Sequence, residues 1–214
     1  MRNRFDRQLY ELNRNLIEMG AMCEEAIEKV IDSLIKSDIN LAKNVLENSS
    51  MIDKMERDIE RLCMNLLLHQ QPVAKDLRVV TSALKMISDM ERIGDQAEDI
   101  AELVILLNGQ TIESVNKIEK MANETAKMVR SSIDAFVNKN LTDAQNVIKQ
   151  DDVVDTLFLD IKSDIIQLIS VNKEDGEFDL DILMIAKYLE RIGDHATNIA
   201  ETVIYSITGK SDFK

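Results

Sequence analysis

Proline occurs once in the 214 residues, glycine six times, and aromatic residues make up 4% of the chain. So few breakers, set among many Leu, Ile, Met, Glu, Lys and Ala residues, predict long and seldom interrupted helices, and make all-α the expected class. Cysteine is also scarce: Cys23 and Cys63 both fall within helical patterns and are expected to be buried, reduced thiols. Positive charge is in deficit, with 26 Lys and Arg against 39 Asp and Glu and a formal net charge of −13. That balance excludes a protein built to bind phosphate backbones and favours cations or a basic partner. Long apolar runs are missing as well. The longest, near Leu103–Leu107, is far too short to span a bilayer. The N-terminus, Met1-Arg2-Asn3-Arg4-Phe5-Asp6, leads into an amphipathic segment and not into the apolar core of a secretory signal, so a cytoplasmic protein is expected.

What the chain does contain is a repeat. Glu91-Arg92-Ile93-Gly94-Asp95-Gln96-Ala97-Glu98-Asp99-Ile100-Ala101-Glu102 returns as Glu190-Arg191-Ile192-Gly193-Asp194-His195-Ala196-Thr197-Asn198-Ile199-Ala200-Glu201, 99 residues later. Over 91–105 and 190–204, 11 of 15 positions are identical, which marks a tandem duplication. Val45, Asp53 and Ile59 match Val147, Asp155 and Ile161 at an offset of 102, so a three-residue difference falls between the second and third helices of the two halves.

Apolar spacing of three and four predicts six helical blocks. The first covers 4–36 and buries Leu9, Leu12, Leu16, Met19, Cys23, Ile27, Val30 and Leu34; Ser37-Asp38 ends it. A second runs over 40–68. The third is opened by Pro72 as a first-turn proline and stopped at Asn108-Gly109. Blocks four and five, 111–138 and 141–171, part at Asn138-Lys139-Asn140; the polar run Asn172–Glu177 precedes block six, 179–208, which Gly209 closes. Three helices per half predict two antiparallel three-helix bundles, residues 1–109 and 110–214.

On a helical wheel with Glu91 at zero, Asp95 falls near 40°, Asp99 near 80°, Glu102 near 20° and Glu98 near 340°, while Ile93, Ala97, Ile100 and Val104 gather near 180–240°. The second copy repeats this with Glu190, Asp194 and Glu201. An acidic face is often no more than a solvated surface. Here Glu91, Asp95 and Asp99 follow one another at i, i+4 with no cation in their row, an arrangement that repels itself. A bound cation relieves it, because carboxylates one turn apart stand about 6 Å from each other along the axis and reach one ion or bridge two. A second helix must then add oxygens. Asp53 and Asp155 are the repeat-matched candidates, and Asp151 stands four residues before Asp155, where the first half has Ser49.

Glu-Arg-Ile-Gly-Asp-x-Ala-x-Asn/Asp-Ile-Ala, present at 91–101 and 190–200, with Asp76-Leu77-Arg78 upstream, closely resembles the signature of the PhoU family, accessory and regulatory proteins of bacterial phosphate-specific transport. The resemblance covers essentially the whole chain. It implies two three-helix bundles related by a pseudo-twofold axis and surface clusters of iron or zinc. These would be held by Glu91, Asp95, Asp99 and Asp53 in one half and by Glu190, Asp194, Asp151 and Asp155 in the other. Ser49, where the family usually has an acid, and Asn198 in place of Asp99 leave the two clusters unequal. The resemblance further implies a homodimeric adaptor, peripheral to membrane complexes, that restrains a phosphate ABC transporter ATPase and a sensor histidine kinase when phosphate is plentiful. Service to a different phosphate transporter is the alternative within that class.

The competing class is a carboxylate metalloenzyme. Di-iron bundles use Glu-x-x-His pairs, yet the residues three before His69 and His195 are Leu66 and Ile192, and no nucleophile–base pair or phosphate-cradling glycine loop is present. A non-enzyme is therefore expected. Gly94 and Gly193 are read as points of close helix approach, and Arg92 and Arg191 as charge balance for the acids. His195 is read as a solvated side chain, His69 as a helix-terminal cap, and the eleven Met residues as core filler.

Overall fold

The computed structural model describes residues 2–70, 73–107, 115–171 and 176–210, and these form six helices with no strand among them. They are α1 (Arg2–Lys36), α2 (Ile39–Gln70), α3 (Ala74–Leu107), α4 (Val115–Asn138), α5 (Leu141–Val171) and α6 (Gly176–Thr208). The apolar stripe of α1 is buried as its spacing requires: Leu12, Leu16, Met19, Cys23, Ile27, Val30 and Leu34 are all in the core. Pro72, Asn108-Gly109 and the bundle boundary at 109/110 lie outside the described residues.

The helix turns repeat as faithfully as the acidic signature. Ser37 and Lys139, 102 residues apart, both adopt φ of 53°. Behind each, the next backbone N–H reaches back to the last turn, Asp38 to Ser33 O at 3.0 Å and Asn140 to Ala135 O at 2.9 Å, satisfying carbonyls that would otherwise be orphaned. The same residues then cap the following helices: Asp38 Oδ1 accepts from Asn40 N at 3.0 Å, and Asn140 Oδ1 from Thr142 N at 3.0 Å. The three-residue difference between halves is taken up at the start of α3. That helix begins at Ala74, seventeen residues before Glu91, whereas α6 begins at Gly176, fourteen before Glu190. It amounts to almost one extra turn.

Each half is an antiparallel three-helix bundle, but the halves share one hydrophobic core. Helices α1, α3, α6 and α4 pack in a ring, with α3 against α6 and α1 against α4 joining the bundles; α2 lies outside on α1 and α3, and α5 outside on α4 and α6. Burying Met86, Met90, Ile93, Ile185, Leu189 and Ile192 together explains why α3 and α6 carry the richest apolar faces. Arg130 Nε donates to Glu24 Oε2 at 2.9 Å across the α1–α4 contact. This arrangement leaves two long grooves, α2–α3 and α5–α6, and the acidic residues line them.

Candidate metal centre

In the first groove, Asp53 on α2 and Glu91 and Asp95 on α3 each present a carboxylate oxygen within 4.8 Å of the other two. Gly94 makes this approach possible. A Cβ there would lie 3.0 Å from Ile52 Cδ1 and 3.2 Å from its Cγ2, so a larger residue would push α2 away from α3. Partial burial, then the neighbouring Asp95 carboxylate, hold the Glu91 carboxyl above its usual range; Arg92 opposes the rise, while Glu56 and Asp53 add to it. Arg92 spans both acids of its own helix, 3.6 Å from Glu91 Oε2 and 3.2 Å from Asp95 Oδ2, and so balances charge. Glu56 was not among the sequence candidates. Its signal was present: it stands one turn beyond Asp53 on the same helix.

Ser49 does not leave this groove short of an acid. Its hydroxyl donates to Glu98 Oε1 at 3.1 Å. In the second half the acid sits on α5 as Asp151, and the position matching Glu98 is Thr197, whose hydroxyl is buried beside it. The duplicated halves have exchanged carboxylate and hydroxyl across the helix pair.

The second groove gathers Asp151 and Asp155 from α5 with Glu190 and Asp194 from α6, and it is more strained electrostatically. Burial first, then Asp155 and Asp194, push the Asp151 carboxyl up to about 6; the Thr197 hydroxyl, without a hydrogen bond of good geometry, opposes this only in part. Asp194 is also raised, by burial and then by Glu190, with Lys187 acting against it. Gly193 again permits the contact, since a Cβ there would meet Asp151 Oδ1 at 3.3 Å and Val154 Cγ1 at 3.4 Å. One difference is decisive. Lys187, at the position of Ser88 in the first half, is ion-paired with Glu190 and lies over the Phe158 ring, 5.3 Å from its centroid, where the first half has Glu56. The second groove thus carries a cation of its own. Among the described residues, its acids nowhere bring three oxygens as close as the first trio does.

Asp99 and its counterpart Asn198 belong elsewhere, at the antiparallel crossing of α3 and α6. Asp99 is raised by burial and then by Glu102 and Asp95, and is lowered by Arg191 of α6. Arg191 itself lies 5.9 Å from the Tyr188 ring centroid. Asn198 Nδ2 donates to Asp89 Oδ1 at 3.3 Å, so an amide in place of a carboxylate suits a neighbour that is already acidic. His195 corrects the sequence expectation of a solvated ring. Its Nδ1 lies 3.0 Å from Asp89 Oδ1 and the residue is partly buried, because the crossing brings α3 over it. The side chain of His69 lies outside the described residues. Cys23 and Cys63 are buried free thiols, each pushed up to about 12 chiefly by burial, and Cys23 Sγ donates to Met90 O at 3.3 Å. The methionines divide: Met19, Met86, Met90, Met121 and Met128 fill the core, whereas Met51, Met64 and Met184 are exposed.

The model of the PhoU domain matches this chain twice, over residues 16–104 and 118–203. A "Phosphate-specific transport system accessory protein PhoU homolog" from Clostridium acetobutylicum is 39% identical over 208 residues, covering 96% of this chain and 95% of that protein. A homologue from Thermotoga maritima is 34% identical over 97% of this chain and 90% of its own length. The crystal structure of PhoU from Pseudomonas aeruginosa superposes with a TM-score of 0.91 at 33% identity, covering 96% of this chain and all of that one. The phosphate transport system regulatory protein PhoU from Streptococcus pneumoniae superposes at 0.90 with 27% identity, over 98% of this chain and all of that one.

Proposed function

The chain belongs to the PhoU family, and we propose that it is a regulatory adaptor of phosphate-specific transport that binds divalent or trivalent cations in its acidic grooves. In this reading it acts in the cytoplasm, as a homodimer peripheral to membrane complexes. It restrains a phosphate ABC transporter, through the transporter's ATPase, and a sensor histidine kinase when phosphate is plentiful. The observation that carries the regulatory part is the near-full-length similarity to proteins named as accessory to phosphate-specific transport. No helix among the described residues is long and apolar enough to cross a membrane, in keeping with a peripheral role. Deleting the gene and assaying alkaline phosphatase under high phosphate tests it. Derepression reversed by the intact gene is expected; unchanged repression would refute the regulatory role.

The Asp53, Glu91 and Asp95 trio fits a metal by its chemistry, three carboxylates from two helices converging with oxygens within 4.8 Å. An all-oxygen donor set suits hard or intermediate cations, iron among them, better than zinc, which favours nitrogen and sulfur partners. When bound, such an ion would supply the positive charge that this face lacks; the chain's own acids would fix α2 to α3 through it. Asp151, Asp155, Glu190 and Asp194 would form the second, weaker site, competing with Lys187. A carboxylate metalloenzyme is the lesser reading. His195 turns to Asp89 at the helix crossing, which leaves both grooves with a donor set of carboxylates alone among the sequence candidates. Elemental analysis of protein purified without chelator, compared with the Asp95→Ala/Asp194→Ala variant, tests the metal sites. Lost metal with retained helical content is expected, and unchanged stoichiometry would refute these residues as ligands.

A further inference from the structure

One end of the ring formed by α1, α3, α6 and α4 holds a cavity of about 160 Å³, lined from all four helices or their ends. Leu9, Val79, Phe136 and Ile207 make its apolar wall. Asn13, Lys75, Asp76, Lys139 and Ser206 are its polar lining. Drug-sized sites start near roughly 300 Å³, so only a small molecule fits. Asp76-Leu77-Arg78, upstream of the repeated signature, has no part in either acidic groove; Asp76 lines this cavity and Arg78 adjoins its Val79 wall.

Ser206 is the most telling of these residues. It is 6% exposed and lines the cavity, and its hydroxyl has no hydrogen-bond partner among the described residues. A buried hydroxyl left unpaired is unfavourable, and nearly all such groups are matched by protein, water or ligand. The internal repeat provides a control. At the offsets of 99 and 102, the repeat partners of Ser206, Asn13 and Lys139 are Leu107, Val115 and Ser37. Leu107 is buried, so the duplicated fold accepts an apolar side chain at the place of Ser206. Folding does not account for the polar set.

Positive charge gathers here on a chain of net charge −13. Lys75 and Lys139 line the cavity and form no ion pair among the described residues. Arg78 lies against the end of α6, where a Cβ on Gly209 would stand 3.4 Å from its Cζ, and its Nε is buried without a partner. Lys75 and Asp76 are the second and third residues of α3, so the unpaired N–H groups of that first turn add their positive end. The ends of α4 and α6 beside the cavity are already capped, Asn140 N donating to Ala135 O and Gly209 N to Tyr205 O. Asp76 is the single acid in the lining.

We propose that this cavity binds a small organic anion, a carboxylate or phosphate head on a short carbon chain. The head takes the charge of Lys75 and Lys139 and the hydrogen bond of Ser206, and the carbons cover the wall of Leu9, Val79, Phe136 and Ile207. A bare inorganic ion would leave that wall uncovered. Val79 precedes Glu91 by twelve residues and Ser206 follows Asp194 by twelve, about 18 Å along each helix, so the cavity is separate from both acidic grooves. The inference rests on the cavity, the repeat and the charge, and stands independently of the metal and regulatory readings.

Butyrate, butyl phosphate and inorganic phosphate are the probes, each titrated calorimetrically into the full chain with chelator present, which keeps metal-held phosphate out of the acidic grooves. Saturable binding of butyrate or butyl phosphate, tighter than that of inorganic phosphate, is expected, and the tighter of the two identifies the head. Lys75→Gln/Lys139→Ser, the second change copying Ser37, should weaken it at least about tenfold. Ser206→Leu, copying Leu107, should abolish it by filling the cavity, and Ser206→Ala should weaken it less. Lys162→Gln, which removes an exposed charge from α5, should leave it unchanged. Circular dichroism verifies that each variant is folded. Absence of saturable binding by either organic anion, or equal affinity of the double-lysine or Ser206→Ala variants, overturns the proposal. So does inorganic phosphate bound as tightly as both, or a Lys162→Gln loss equal to that of the double variant.

Discussion

Asp151 offers the sharpest test of the electrostatics, because a carboxyl held at about 6 in the folded chain lies well above its ordinary value of 3.8. The folded state therefore binds this proton more tightly than the unfolded state does. Its contribution to stability is fully present below about pH 4, is lost as pH rises toward 6, and is absent above. At 1.36 kcal/mol per pH unit, a shift of about two units sets a ceiling of about 3 kcal/mol. Solvent reaches part of the carboxyl, so screening reduces this to about 1.5 kcal/mol. Replacing the charge by an isosteric amide removes the penalty. Asp151→Asn is expected to match the wild type near pH 4 and to exceed it by about 1.5 kcal/mol at pH 8, a rise in Tm of about 3–6 °C for a chain of this size. Urea or thermal melts followed by circular dichroism, with chelator present, measure it. The other acids titrate in both proteins, so the difference between the two curves reports Asp151 together with its coupling to Asp155 and Asp194. A difference independent of pH, or a variant less stable at pH 8, would refute the assignment of the strain to clustered carboxylates.

Four further outcomes follow from the same geometry. Lys187→Ala should tighten cation binding in the second groove, read by calorimetric titration with a divalent metal, because Glu190 is released from its ion pair; weaker binding would mean that Lys187 organises the site. Gly94→Ala should destabilise the chain by about 1 kcal/mol, the overpacking against Ile52 outweighing the better helix propensity. Ile52→Val should recover part of that loss in a double-mutant cycle of urea melts, since it removes the methyl that stands 3.0 Å away. Asn198→Asp should cost about 0.5–1 kcal/mol at pH 8 by setting a carboxylate against Asp89, with Asp89→Asn abolishing the effect.

The fold was legible because its information is periodic. Apolar spacing located all six helices, and the polar interruptions Ser37-Asp38 and Asn138-Lys139-Asn140 marked the turns where Ser37 and Lys139 are left-handed. The shared core was not legible, since the spacing in α3 shows that one face is buried without saying that α6 of the other bundle covers part of it. The same gap explains the site. A wheel around one helix put Asp99 and His195 in or beside the acidic row, whereas α3 and α6 cross there and turn both toward the other bundle. Glu56 and Lys187 have repeat partners of another type, Phe158 and Ser88, so the repeat gives them no emphasis, and Glu98, on the acidic face by its wheel position, meets Ser49 only because α2 lies against α3.

Those differences are where the two grooves diverge in charge. The exchange of Ser49 and Glu98 for Asp151 and Thr197 keeps one hydroxyl and one acid facing each other in each groove, so it conserves local charge. The change from Ser88 and Glu56 to Lys187 and Phe158 does not. It replaces an acid by an aromatic ring and adds an ammonium group, which lowers the negative charge of the second groove by two relative to the first. Attraction for a small cation falls accordingly. The first groove thus brings three carboxylate oxygens within 4.8 Å of one another, whereas the second sets a lysine among its acids. The two substitutions are coupled through the Lys187–Phe158 contact, so reversing either alone should disturb the second groove.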